Sequence, residues 1–186
     1  MKRLLDICVS ASALLLLAPL LLLIALTVRL DSPGPALYWS QRFGKDGTLF
    51  WMPKFRTMRT DAPQLPTHLL PDSATLLTGI GGILRRSSLD ELPQLWSVLV
   101  GDMSLVGPRP GLFNQHDLLE MRAKNGSRAL LPGITGLAQI SGRDALTLEA
   151  KVALDGEYSR RQSLLFDLRI LALTVVKVVR ADSIKH

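Results

Sequence analysis

From Ile7 to Val28 the chain runs for 22 residues without a charge, ICVSASALLLLAPLLLLIALTV. A run this apolar has to be shielded from water by lipid or by protein, and that constrains the fold more than any other feature. As a helix it measures about 33 Å, enough to cross a hydrocarbon core. Lys2 and Arg3 precede it and Arg29 follows it, whereas a simple span carries its positive bias on one side only. Both ends therefore read as cytoplasmic. Pro19 falls near the middle of the run. It removes one helical hydrogen bond and crowds the preceding turn, which favours a kink. Two topologies fit: a helix broken at mid-depth that returns to the face it entered, and an ordinary span with a tolerated proline. A cleaved signal peptide fits least, because the run is too long and no cleavage site follows Val28.

The 186 residues leave room for one further domain. With 47% apolar and 20% charged residues, the chain is not intrinsically disordered. Its one cysteine, Cys8, excludes an internal disulfide framework and a Cys-cluster zinc site. Three scattered histidines, His68, His116 and His186, make a poor metal centre.

Asp31-Ser32-Pro33-Gly34-Pro35 stops the apolar run with turn residues. ALYWSQ and TLFWMPKF flank the turn Gly44-Lys45-Asp46-Gly47 and predict a β-hairpin, with Pro53 marking the second strand as an edge or ending it early. Residues 61–75, with three prolines, read as a surface loop. Helices are predicted over Ser88–Val100, 112–125 and 147–161, separated by the Gly- and Pro-rich stretches GDMSLVGPRPG and LPGITGLAQISGR. The tail LLFDLRILALTVVKVV reads equally as a helix lying on a membrane surface and as a buried core helix.

The densest polar cluster is Arg85-Arg86-Ser87-Ser88-Leu89-Asp90-Glu91. One reading is a capping box, with Ser88 as N-cap and Glu91 three residues on. It leaves Asp90 and the two arginines unexplained. The other is chemical. A carboxylate can attack phosphorus and carry a covalent intermediate, an arginine can neutralise phosphate, and an Asp-Glu pair suits Mg²⁺ bound together with substrate phosphates. Lys54 and Arg56 flank Phe55; Gly107-Pro108-Arg109-Pro110 fixes an arginine between prolines; Ser141-Gly142-Arg143-Asp144 offers another. Each is weak alone. Together they supply what a highly charged phosphate substrate needs. Nucleic acid, the other polyanion, is disfavoured by the absence of a recognised motif and by 5% aromatics. A non-catalytic basic module on anionic lipid would use the net charge of +6, but it leaves the Asp-Glu pair idle.

The chain resembles the bacterial sugar transferases, the small monotopic phosphoglycosyl transferases. The resemblance rests on KRLLD and the apolar run with its proline, on Ser32-Pro33-Gly34-Pro35 and Lys54-Phe55-Arg56-Thr57-Met58, and on RRSSLDELPQ, GDMSLVGPRP, PGITGLAQISGR and Phe166-Asp167-Leu168, in that order. The chain departs from the pattern at Ala18, Ser40, Pro53, Leu76 and Leu131. The resemblance implies an α+β fold: residues 1–30 as a re-entrant membrane helix broken at Pro19, and residues 31–186 as a catalytic domain with a small hairpin and short amphipathic helices at the interface. The site would face the cytoplasmic side of the bacterial inner membrane. The implied reaction moves a sugar 1-phosphate from a UDP-sugar to a polyprenyl phosphate and releases UMP, with Mg²⁺ as cofactor. Asp90 matches the nucleophile, and Glu91 the residue that helps hold Mg²⁺ or activates the acceptor. Lys54, Arg85, Arg109 and Arg143 match substrate-side cations, and Arg56, beside Phe55, is a further phosphate-binding candidate from the residues themselves. Asp155 and Asp167 match acidic positions, where structural ion pairs are expected.

Overall fold

The computed structural model describes residues 1–63, 75–142 and 145–179. The elements, in order, are α1 (Lys2–Asp31), β1 (Leu37–Phe43), β2 (Leu49–Phe55), α2 (Gly81–Arg86), α3 (Gln94–Val100), β3 (Ser104–Val106), α4 (His116–Lys124), β4 (Gly133–Thr135), α5 (Leu137–Ser141), α6 (Leu148–Arg161) and α7 (Leu164–Val179). The α+β class is as expected: many helices, with two small sheets formed by antiparallel β1–β2 and parallel β3–β4.

The apolar run lies inside α1, a single 30-residue helix that continues through Pro19. The expected interruption at Pro19 is therefore absent from α1. A proline deletes only the bond to the carbonyl four residues back, and the long apolar turns on either side keep theirs. One face of α1 packs along the rest of the molecule. Leu5, Ala13, Leu14 and Leu17 join a core of Phe50, Met52, Leu95, Val98, Met103, Leu105, Val106, Tyr158 and Ile170. Leu21, Ile24, Ala25 and Val28 join a second core with Phe55 and Leu84. The opposite face is bare: Leu15, Leu16 and Leu30 are each 78% exposed.

Polar contacts pin both ends of α1 to the same body. At the start, Lys2 Nζ donates to Asp167 Oδ2 of α7 at 2.7 Å and to the Val106 carbonyl at 3.0 Å. Arg3 donates to the terminal carbonyls of α3, Val98 and Leu99. The buried Asp6 carboxylate accepts from Ser104 Oγ and the Leu105 amide, holding β3. At the far end, Arg56 Nη2 donates to the Ser32 carbonyl at 2.7 Å and to the Val28 carbonyl at 3.4 Å, and Nη1 donates to the Pro33 carbonyl. A guanidinium at a helix C-terminus satisfies carbonyls the helix leaves open and suits its dipole.

The hairpin forms as predicted, with Leu37 opposite Phe55 and Phe43 opposite Leu49. Pro53 does not end β2; it pairs with Trp39 inside the strand, which a two-stranded sheet tolerates because every strand is an edge. The predicted helices 112–125 and 147–161 appear as α4 and α6, with Thr147 Oγ1 accepting from the Ala150 amide as N-cap. The Ser88–Val100 helix does not run unbroken. Leu89–Glu91 is a 3₁₀ turn, and α3 begins only after Pro93, its N-cap residue. The loop expected over 61–75 falls largely in 64–74, outside the described residues.

Candidate active site

Alternation along β2 places the first cation. Phe55 packs against Ile24, Val28 and Leu84, so its neighbour Lys54 points to the other face. There Lys54 Nζ donates to Glu91 Oε1 at 2.8 Å. The Asp90-Glu91 pair reaches that position through backbone strain. Ser88 has φ 56° and ψ 17°, a left-handed conformation that costs a non-glycine residue free energy. Its hydroxyl makes no capping bond among the described residues; the turn closes through the Glu91 amide on the Ser88 carbonyl at 3.2 Å. The capping box is thus replaced by a tight turn. Leu89 is anchored in the second core, and the two carboxylates are turned toward the cations.

Arg109 arrives from the opposite side. Parallel pairing of β3 with β4 sets Ser104 opposite Gly133 and Val106 opposite Thr135. The Gly107 amide then donates to the Thr135 carbonyl and the Gly133 amide to the Pro108 carbonyl. The backbones approach so closely that a Cβ on Gly107 would stand 2.3 Å from the Leu131 carbonyl oxygen, and one on Gly133 would stand 2.1 Å from the Gly107 nitrogen. That contact makes glycine necessary in both stretches that read as irregular. From the loop, Arg109 Nη2 donates to the same Glu91 Oε1 at 2.8 Å. The loop also lies on β1: the Phe43 amide donates to the Gly111 carbonyl at 2.9 Å and Arg42 bridges Leu112.

The two carboxylates are held in contrasting ways. Glu91 is 12% exposed at its side chain and ion-paired to both Lys54 and Arg109. Burial alone would raise its pKa, but the charges and hydrogen bonds of Arg109 and Lys54 hold it well below the usual carboxylate value. Asp90 is 7% exposed and has no hydrogen-bond or ion-pair partner among the described residues. Burial pushes its pKa up, against the pull of Lys54, Arg85 and Arg109. Arg85, at the end of α2, rests its Nε on Thr57 Oγ1 at 3.0 Å and is drawn electrostatically to Asp90.

The fold therefore brings together Lys54, Arg85, Asp90, Glu91 and Arg109. Arg56 is not among them: it is 5% exposed and committed to the end of α1, so its place is structural rather than at a phosphate. Asp155 and Asp167 form the expected ion pairs. Asp155 Oδ2 accepts two bonds from Arg122, at 2.9 and 2.7 Å. Asp167 meets Lys2 and accepts from the Tyr158 hydroxyl at 2.6 Å. Arg143 lies outside the described residues. Two residues had no signal in the motif reading. Arg122 donates to the Arg109 carbonyl at 2.9 Å and so supports the loop from behind. Arg42 lies beside Arg109 and Glu91; the only hint in the sequence was its phase in β1, on the same face as the buried Ser40.

An apolar helix long enough to cross a membrane thus lies along a body in which cations crowd a pair of adjacent carboxylates. The chain belongs to the bacterial sugar transferase family, whose sequence profile matches residues 1–181. A UDP-glucose:undecaprenyl-phosphate glucose-1-phosphate transferase of Caulobacter vibrioides is 42% identical over 194 residues, covering 98% of this chain and 71% of that protein. A protein of the same description from Xanthomonas campestris pv. campestris is 40% identical over 186 residues, 96% of this chain but 38% of its own length. The exopolysaccharide production protein PSS of Rhizobium leguminosarum bv. phaseoli is 41% identical over 190 residues, covering 95% of this chain and 94% of that protein. The chain thus spans most of some relatives and well under half of others.

Proposed function

We propose that the protein transfers a sugar 1-phosphate from a UDP-sugar to a polyprenyl phosphate at the membrane surface, through a covalent intermediate on Asp90. A carboxylate oxygen of Asp90 attacks the β-phosphorus, the bond from that phosphorus to the bridging oxygen breaks, and UMP leaves with the electron pair. The acyl phosphate then carries the sugar. A phosphate oxygen of the polyprenyl acceptor attacks the same phosphorus and returns Asp90 as a carboxylate, giving the polyprenyl diphosphate sugar. No proton need be taken up or lost in either step.

One observation carries this reading: of two adjacent carboxylates, Glu91 is clamped by two cations while Asp90, also enclosed, has no hydrogen-bond or ion-pair partner among the described residues. A carboxyl group placed among Lys54, Arg85 and Arg109 with no bond to them is poised to react rather than to brace the fold. The cations hold the diphosphate and offset the negative charge that develops on departing UMP. The activities described for the Caulobacter and Xanthomonas relatives support the same transfer.

Mg²⁺ fits the donors present. Asp90 and the second oxygen of Glu91 are carboxylate oxygens without hydrogen-bond partners among the described residues, and a hard cation that takes its remaining ligands from phosphates and water needs no more. When bound there, Mg²⁺ would neutralise diphosphate charge.

The position of α1 supports a monotopic arrangement. Both its ends are tied to one polar body, while its free face is apolar. A helix that crossed to the far side would drag that body through the bilayer. The catalytic body and both helix ends therefore share one face, the cytoplasmic one by the charges at Lys2, Arg3 and Arg29.

Purified protein incubated with UDP-sugars and undecaprenyl phosphate is expected to release UMP. Asp90→Asn is expected to retain less than about a thousandth of that rate, the scale seen when a nucleophile is removed. Near-normal turnover by Asp90→Asn would falsify the assignment.

A further inference from the structure

The cluster contains one cation that the reaction as described leaves without a task. Arg42 lies in β1 on the same face as Lys54, because Arg42 pairs with Phe50 and Tyr38 pairs with Lys54. Its Nε donates to the buried Ser40 Oγ at 2.9 Å, and its Nη1 reaches the Pro110 carbonyl at 3.4 Å. These bonds fix the guanidinium beside the Arg109 loop, which is itself laid on β1 by the Phe43–Gly111 bond. Its Nη2 has no hydrogen-bond partner among the described residues. Burial, and next the nearby Arg109, lower the Arg42 pKa to about 10, while Tyr38 and Glu91 oppose them.

A guanidinium held close to another guanidinium is unfavourable unless an anion lies between them. Glu91 answers part of that need, but its bonded oxygen is already shared by Lys54 and Arg109. Among the described residues, the carboxylates that act on Arg42, Lys54 and Arg85 are Asp90 and Glu91, and neither makes a hydrogen bond to Arg42. With its other nitrogens anchored, Arg42 loses little side-chain entropy on binding an anion.

We propose that Arg42 is a further phosphate-binding residue of this site, its free Nη2 donating to a substrate phosphate oxygen alongside Arg109. The proposal rests on the phosphoglycosyl-transfer reading for its substrates, and on the geometry alone for its anion chemistry. A phosphate here belongs either to the nucleotide diphosphate or to the lipid acceptor, and kinetics separate the two.

Two measurements test it. In the first, detergent-solubilised wild-type protein is modified with phenylglyoxal, with and without inorganic pyrophosphate, and the modified peptides are mapped by mass spectrometry. Pyrophosphate is expected to slow modification of Arg42 about tenfold, the scale of a charge-assisted hydrogen bond, while exposed Arg160 on α6 reacts equally in both. Unprotected Arg42 overturns the proposal. This arm needs no variant and does not depend on turnover. In the second, UMP release is measured for wild type, Arg42→Gln and Arg42→Lys, after each variant is shown to melt as wild type does. A KM raised about tenfold for the UDP-sugar assigns Arg42 to the donor diphosphate, and one raised for polyprenyl phosphate assigns it to the acceptor. A fall in kcat with both KM values unchanged means that Arg42 only props the Arg109 loop, and overturns the proposal. A wild-type protein that releases no UMP from any donor removes the parent reading, and the protection experiment still decides Arg42.

Discussion

Glu91 gives a single oxygen to two cations, and that sharing sets what its substitution does. Glu91→Gln takes from Lys54 and Arg109 the charged carboxylate that they share. Lys54 is nearly enclosed, whereas the Arg109 side chain is 41% exposed and can turn to water. The expected loss of stability is therefore about 2 kcal/mol, below the range for a fully buried pair, read as a lowered melting midpoint in detergent. The pH dependence follows in sign. Glu91 has its pKa depressed on folding, so the stability it contributes is present above the unfolded carboxylate pKa and is lost as pH falls through its lower folded value. Asp90 behaves oppositely: its raised pKa means that burying its charge opposes folding as pH rises past the unfolded value. Its reactive form is also titrated away at a higher pH than for a free aspartate. UMP release should accordingly fall on acidification while the protein is still folded. Activity that follows the unfolding curve alone would count against Asp90 as the reactive base form.

At the scale of elements, α1 is fastened at each end by a different device. Arg56 closes its C-terminus on the carbonyls of Val28, Ser32 and Pro33. Arg56→Gln should lower stability by about 2 kcal/mol and leave the KM for UDP-sugar within about twofold, because the carbonyls at the end of α1, Val28 buried among them, lose a charged donor while the site keeps its cations. Lys54→Gln, two residues away, should instead raise that KM. Equal effects on KM would place Arg56 in the site after all. At the other end, Lys2 meets Asp167, whose side chain is 2% exposed. Asp167 also takes the Tyr158 hydroxyl, whose pKa is raised by burial and by Asp167 itself. Asp167→Asn strands the Lys2 ammonium and should cost about 2–3 kcal/mol, seen as faster proteolysis near the N-terminus and a lower midpoint, with the protein still extracted only by detergent. In the sequence Lys54 and Arg56 look alike, as cations beside an aromatic. Strand alternation alone separates Lys54 from Phe55 but would put Arg56 on the same side as Lys54. What diverts Arg56 is the end of a helix remote in sequence.

For the whole molecule, the joint anchoring of α1 makes a topological prediction. With the exposed native Cys8 replaced by serine, single cysteines near positions 2 and 35, at sites that leave Lys2 and its ion pair intact, should both react with a membrane-impermeant thiol reagent only when the cytoplasmic face is open. Labelling from opposite sides would establish a span. The sequence by itself determined the apolar segment, the hairpin, α4, α6, α7 and the pairing of Asp90 with Glu91, because each is written in local chemistry: hydropathy, alternation, helical spacing, adjacency. It did not determine the β3–β4 pair. Those strands are three residues long, too short to show a period, and they exist because Gly107, Gly133 and Gly136 let distant backbones touch. Nor could it show that Pro19 leaves α1 continuous, that Ser88 turns left-handed instead of capping, or that Arg42 and Arg122 attend Arg109 while Arg56 serves a helix end. A side chain's type and neighbours state which charges it can hold. Which opposite charge it meets depends on contacts that close only when the cores form, and tertiary structure alone makes that choice.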